Sequence, residues 1–269
     1  MEIIKAIVLG IIQGITEWLP ISSTGHMILA DEWIQLSGGQ TFVDLFMVVV
    51  QFGSILAVLV LYFHKLNPFS SHKSEKQKRD TFSLWGNVLI ATIPAGIIGL
   101  LFEETINEWF YNPTTVAITL ILYGIGFIVV ENQRRKGRIR SFAQMDAKTA
   151  ACIGVFQVLA LIPGTSRSGA TILGAVMLGC SRTVAAEFSF FLAIPVMLGA
   201  SALKLIKYAD LLVGPQLMTL LVGTVVAFVV SLFAIRFLMK FIQTHTFKPF
   251  GYYRIVLGVA VLFYFYVIL

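Results

Sequence analysis

Charge is what this chain has least of. Only 13% of its 269 residues are Asp, Glu, Lys or Arg, against 57% hydrophobic, where a soluble domain carries roughly 25% charge. That deficit, with a mean hydropathy of +0.85, excludes a water-soluble domain and predicts an all-α integral membrane protein. Cysteine is almost missing too. Cys152 and Cys180 stand 28 positions apart in apolar sequence without a neighbouring His or Cys, which excludes a disulfide framework or a zinc site and leaves packing roles. The net charge of +6 is not a nucleic-acid footprint, because the basic residues fall in short loops between apolar runs, the positive-inside pattern. The start, Met1 to Lys5, has neither a basic n-region nor a small-residue cleavage site and predicts no removable signal peptide.

What is present is a series of apolar runs, some long and some cut short. Residues 1–37 form two short pieces, about 3–15 and 27–37, each too short to cross ~30 Å of hydrocarbon. They fit a re-entrant hairpin that enters and leaves on one face. Spans are expected at about 44–63, 84–102 and 114–130, the second carrying Pro94, which predicts a kink or break. A basic linker, 132–149, follows. The second half repeats the plan, with a hairpin at 150–182 and spans at about 186–206, 211–234 and 251–269. The halves are thus 1–131 and 150–269.

Loop charge orients the chain. Lys65, Lys73, Lys76, Lys78 and Arg79 lie in one loop, and Arg134, Arg135, Lys136, Arg138 and Arg140 in another. Both belong in the cytoplasm. Between them Glu103, Glu104 and Glu108, with Trp109 and Tyr111 as interfacial anchors, face outside. Arg236, Lys240, Lys248 and Arg254 are assigned to the last loop, again cytoplasmic. Counting crossings, the first hairpin opens outward and the second inward, so the halves are inverted copies, a transporter-like architecture. Matched positions 144 apart, Gln13/Gln157, Ser22/Ser166 and Gly25/Gly169 among them, agree with a repeat. Gly10 and Gly14, and Gly96 and Gly99, read as helix-packing positions.

Two polar clusters interrupt the hydrocarbon. The first runs Q-G-I-T-E-W-L-P-I-S-S-T-G-H from Gln13 to His26; the second runs P-G-T-S-R-S-G-A-T from Pro163 to Thr171. Lipid cannot satisfy such groups, so they line a cavity. Pro20 stops one helix, and Ser22 or Ser23 is a natural N-cap for the next. Pro163 and Gly164 break the chain again, and Ser166, Arg167, Ser168 and Gly169 open another short helix. Two helix N-termini aimed at one cavity suit an anion. Arg167 adds a planar charge that binds phosphate in a fork, and Gly25 and Gly169 let the backbone approach a ligand. The pair reads as one oxyanion pocket.

Glu17 and His26 bring chemistry to that pocket. A carboxylate acts as a base, orients a nucleophile or holds a divalent cation. Gln13 and Glu17 are four apart and share a helix face; its amide can bind a water, a metal or a phosphate oxygen. Ser23 and His26 are three apart, which on a helix would let the imidazole activate the hydroxyl. Ser22 and Thr24 taken singly also suit a structural role, since a lone hydroxyl in a membrane helix bonds back to its own backbone. Glu17 and Arg167 do not, because intramembrane charges are functional by default.

On these two motifs the chain resembles the undecaprenyl-diphosphatase family, bacterial membrane enzymes associated with bacitracin resistance, and the likeness in layout covers the whole length. The resemblance implies removal of the terminal phosphate of a C55 polyprenyl diphosphate, giving the monophosphate carrier reused in cell-wall peptidoglycan synthesis. It implies a divalent cation, Mg²⁺ or Ca²⁺, a site toward the outer face of the plasma membrane, and catalytic roles for Glu17, Ser23, His26 and Arg167. Gln13, Ser22, Thr24, Gly25, Ser166, Ser168, Gly169 and Thr171 are the expected substrate-binding positions. Many members have Glu where this chain has Gln13, which leaves Glu17 as the metal or base residue. Three nucleophiles stay open: Ser23, His26 and water. A flippase or anion transporter on the same inverted repeat is the other functional class, and a pure scaffold would leave Glu17 and Arg167 without purpose. The partners expected are the lipid substrate and the bilayer, with no nucleic acid and the oligomeric state open.

Overall fold

The structure is a computed structural model that describes residues 1–31, 33–133 and 137–268. Arg134, Arg135, Lys136 and the Glu103 side chain lie outside the described residues. The described chain is helical, its one β contact being an isolated parallel bridge between Ile139 and Cys180. Both cysteines are free.

Helix α1 (Glu2–Thr16) and α2 (Ser23–Asp31) form the first broken segment. They are followed by α3 (Gln40–Leu61), a one-turn α4 (Phe63–Leu66), α5 (Glu75–Phe110) and α6 (Pro113–Asn132). The second half runs α7 (Ala147–Val158), α8 (Arg167–Met177), α9 (Arg182–Lys207), α10 (Pro215–Thr244) and α11 (Lys248–Phe263). Six of these, α3, α5, α6, α9, α10 and α11, are long and apolar enough to cross a bilayer. Their outer faces expose Leu100, Ile206 and Phe233 at 75%, 78% and 65%, apolar surface too extensive for water. The protein is a multi-pass membrane protein.

The ends of the helices follow local chemistry. Ser74 and Gln77 close a reciprocal capping box on α5. Asn112 caps α6 with Pro113 at its first position, and Asp146 and Ser181 cap α7 and α9. Helix α5 departs from the expected 84–102 span: it continues through Pro94 and takes in flanking polar sequence on both sides. Within a bundle, neighbouring groups re-satisfy the backbone that proline frees. The last two helices depart as well. Arg236 and Lys240 stand on α10 and Lys248 opens α11, so the connection is only residues 245–247. Arg254 is not in a loop at all; it lies within α11 and is fully buried.

Packing is close where glycine permits. A Cβ on Gly10 would stand 2.7 Å from the Gly223 carbonyl oxygen, and one on Gly14 2.8 Å from that of Ala227, so α1 lies tight on α10. Gly96 has open space beside it and Gly99 meets only Leu161 at 3.6 Å, so that pair is no packing motif. Each broken segment packs on the other half: α1 runs along α10, and α7 along α5. Helices α3 and α9 pack against each other, as do α6 and α11. A core of Trp18, Phe127, Phe188, Phe190, Phe191 and Phe247 fills the interior. Both breaks end up against it.

Candidate active site

Glu17 stands at the C-terminus of α1, 4% exposed, with its carboxylate at the centre of the site. Gln13 Nε2 donates to its Oε2 at 3.0 Å, Ser23 Oγ donates to the same oxygen at 3.2 Å, and Arg167 donates to Oε1 at 2.9 Å. The carboxylate therefore collects one group from α1, one from α2 and one from the opposite half. The ion pair joins residues 150 positions apart, with Glu17 buried and Arg167 only slightly exposed. Burying a charge is tolerable when it is paired and hydrogen-bonded.

Arg167 is held from a second direction. One of its terminal nitrogens donates to the Ser189 carbonyl at 2.6 Å and to the Ser189 hydroxyl at 3.1 Å, and its guanidinium lies 5.5 Å from the Trp18 ring centroid. Its Nε is buried with no partner. Thr171 Oγ1 donates to the Arg167 carbonyl at 2.8 Å and lies 2.7 Å from the Ser189 hydroxyl. Ser189, on α9, escaped the sequence analysis. Its signal was a single hydroxyl inside the apolar run from Phe188 to Phe191.

The two breaks have one geometry. Among the described residues only Ser22 and Ser166 are non-glycine residues at positive φ, 72° and 71°. Each hydroxyl then accepts from the N–H three residues on, Gly25 at 3.3 Å and Gly169 at 3.2 Å, and so opens a helix. A left-handed serine is a strained conformation that the surroundings must enforce. The breaks also touch directly. Ser168 Oγ lies 3.1 Å from the Glu17 carbonyl and 3.2 Å from that of Leu19, and 3.1 Å from Ser166 Oγ.

The predicted residues therefore meet, with different parts than their spacing implied. Ser23 turns to Glu17, not to His26. His26 Nδ1 lies 2.7 Å from the Ser22 carbonyl and Nε2 2.6 Å from the Tyr253 hydroxyl. In the first turn of a helix side chains lean back toward the N-terminus, which lays the imidazole over Ser22 and leaves the hydroxyl of Ser23 for the carboxylate. Ser22 and Thr171 are fully buried and hydrogen-bonded within the protein, so here they build the frame. Ser23, Thr24, His26, Ser166 and Arg167 keep partial exposure and form the accessible edge. The space beside Gly25 is taken by Leu120, and beside Gly169 by Arg254, so both glycines make room for protein neighbours.

A single constellation of carboxylate, hydroxyl, imidazole and paired guanidinium, under two helix N-termini, can bind a phosphoryl group and move a proton to or from it. A family model described as Bacitracin resistance protein BacA matches residues 6–260. The chain belongs to that family. Relatives within it are similar throughout. Undecaprenyl-diphosphatase 1 of Clostridioides difficile (strain 630) is 61% identical, over 100% of this chain and 98% of its own. Undecaprenyl-diphosphatase of Acetivibrio thermocellus is 58% identical over 98% of each, and that of Enterococcus faecalis 54% identical over 97% and 96%. The BacA match takes in both breaks, five of the spans in full and the sixth as far as residue 260.

Proposed function

We propose that this protein is a membrane phosphatase that hydrolyses undecaprenyl diphosphate to undecaprenyl phosphate and inorganic phosphate. It thereby recycles the lipid carrier for cell-wall synthesis and gives bacitracin resistance. The Glu17–Arg167 pair carries the reading: it joins the two intramembrane breaks into one phosphate-binding centre, in a chain whose full-length relatives bear that enzyme name.

Ser23 is the nucleophile. Its hydroxyl attacks the terminal phosphorus while its proton passes to Glu17 Oε2, the oxygen to which it already donates. The bond from phosphorus to the bridging oxygen breaks, and undecaprenyl phosphate leaves with the electron pair. Water then attacks the phosphoserine, Glu17 returns its proton to the serine oxygen as that bond breaks, and both protons of the water leave on the inorganic phosphate as H2PO4⁻. Arg167, Ser166 and the first turn of α8 stabilise charge on the group in transfer. His26, at the exposed edge, orients the phosphate with Thr24. Among the described residues no three His, Cys, Asp or Glu could hold a metal as a protein cage. A Mg²⁺- or Ca²⁺-type ion needs only a carboxylate or two when substrate phosphate oxygens complete its shell. Glu17 would hold it together with the substrate's phosphate oxygens, and it would neutralise charge on the diphosphate.

The halves, 1–131 and 150–269 about the 132–149 linker, are inverted repeats. The exchanged packing of α1 on α10 and α7 on α5, and the matched serines 144 apart, support this. The basic loops are cytoplasmic and the site opens to the outer side. Purified protein in detergent tests the reaction. Wild type with Mg²⁺ releases phosphate from a polyprenyl diphosphate; EDTA, Glu17→Gln and Arg167→Ala each lower release at least about 100-fold. No release from folded wild type, with uptake into sealed vesicles, would overturn the enzyme in favour of a transporter.

A further inference from the structure

Arg254 is the one charge at the site that the phosphatase reading leaves unused. It sits within α11, 0% exposed, and forms no ion pair among the described residues. Glu17, the carboxylate of the site, is already matched by Arg167. All the Arg254 partners are backbone carbonyls. Nε donates to Leu120 on α6 at 3.4 Å, one terminal nitrogen to Pro20 at 3.3 Å, and the other to Gly164 at 2.8 Å and Thr165 at 2.9 Å. The guanidinium lies 5.5 Å from the Tyr123 ring centroid.

Those carbonyls are not arbitrary. Pro20 precedes Ser22 by two positions, and Gly164 precedes Ser166 by two. One planar group thus grips the same point of each break, where the interrupted helices have left carbonyls without a partner. It also lies under the second helix: a Cβ on Gly169 would stand 3.0 Å from the Arg254 nitrogen that holds Pro20. An unpaired guanidinium in this interior is expensive, and the fork is the one side-chain shape that reaches all these carbonyls together.

We infer that Arg254 is a positioning residue for phosphoryl transfer, clamping the two breaks so that Ser23 and Glu17 on one side register with Arg167 and Ser166 on the other. The inference rests on the phosphatase reading. Its consequence concerns turnover more than binding, because a misplacement of about 1 Å between reacting groups lowers rate roughly 100-fold.

Arg254→Lys keeps the charge and loses the fork; Arg254→Gln loses the charge and keeps two donors. Both are assayed in detergent for kcat and KM of phosphate release, beside wild type and with gel filtration and thermal melting as checks of folding. The expected result is folded Arg254→Lys with kcat lowered about 100-fold and KM within about threefold of wild type. Activity of Arg254→Lys within threefold of wild type would overturn the proposal. So would a raised KM at unchanged kcat, which marks a residue that merely attracts the anion. If Arg254→Lys does not fold, Arg254→Gln carries the same kcat-against-KM test. Collapse of both variants would assign Arg254 to the fold and overturn a positioning role. An inactive wild type, by contrast, would be a failure of the phosphatase reading itself.

Discussion

Removing both ends of the Glu17–Arg167 pair should destabilise the protein far less than the sum of removing each end alone. The two charges meet at 2.9 Å with side chains only 5% and 11% exposed. Two unit charges about 4 Å apart attract by about 4 kcal/mol at an effective dielectric of about 20. Against that stands the desolvation of both ions, so the pair is not worth its Coulomb energy to the fold. A single substitution is different, because it leaves one charge buried without its partner. Glu17→Gln and Arg167→Gln should each cost about 3–5 kcal/mol. Arg167→Gln also strips the donors from the Ser189 carbonyl and hydroxyl. The double variant has no orphaned charge and should cost about as much as either single one, giving a coupling of about 3 kcal/mol or more. Unfolding by SDS in mixed micelles, followed by far-UV circular dichroism, measures all four corners of the cycle. Additive losses, with a coupling below about 0.5 kcal/mol, would refute the reasoning: the breaks would then not be held together by charge, and the single centre built on them would fall.

The choice of nucleophile gives a second test. With the hydroxyl of Ser23 on Glu17 and both imidazole nitrogens of His26 engaged elsewhere, Ser23→Ala should abolish turnover, while His26→Ala should lower kcat/KM about tenfold; the reverse order in a phosphate-release assay would make His26 the nucleophile. A third concerns helix packing. A methyl at Gly53 would collide with the Thr224 carbonyl oxygen and stand 2.9 Å from its carbon, so Gly53→Ala should push α3 off α10 and lower stability by about 3 kcal/mol. An unchanged melting midpoint would contradict that contact.

Much of the fold was written in hydropathy. Lipid-facing runs of about 20 residues mark themselves, and the six spans fall where the runs do. The ends were harder to read, because a membrane helix carries its backbone pairing past the apolar stretch into polar sequence. Helix α5 extends to Glu75 and Phe110 for this reason, and α10 takes in Arg236 and Lys240. The site was legible where polar residues cluster. Gln13, Glu17 and Ser23 meet as four-residue spacing and one chain break allow, and the pairing of the clusters with each other comes down to charge: Glu17 needs a cation, and Arg167 is in the other cluster. What spacing could not supply was direction. Ser23 and His26 share a helical register but are drawn to different partners, one to a carboxylate on α1 and one to a hydroxyl on α11.

Arg254 shows where counting charges by neighbourhood misleads. Its proximity in sequence to Lys248 and Arg236 suited a cytoplasmic loop, and loop charge is a sound guide to orientation. Yet the residues around it, Gly251 to Val261, already spell an apolar helix, and an ionisable group inside such a run is the same signal that singled out Arg167. The two arginines differ in what they meet. Arg167 answers a carboxylate, which a sequence displays; Arg254 answers carbonyls, which every residue has and which become available only where a helix is broken. A sequence that shows two breaks in the membrane therefore also implies donors to fill them, and the place to look is a lone arginine in a helix that passes between. Helix α11 packs along α6, against which the second break rests through the Thr119 hydroxyl, 2.7 Å from the Pro163 carbonyl. Between those two helices the breaks acquire the partners that lipid denies them.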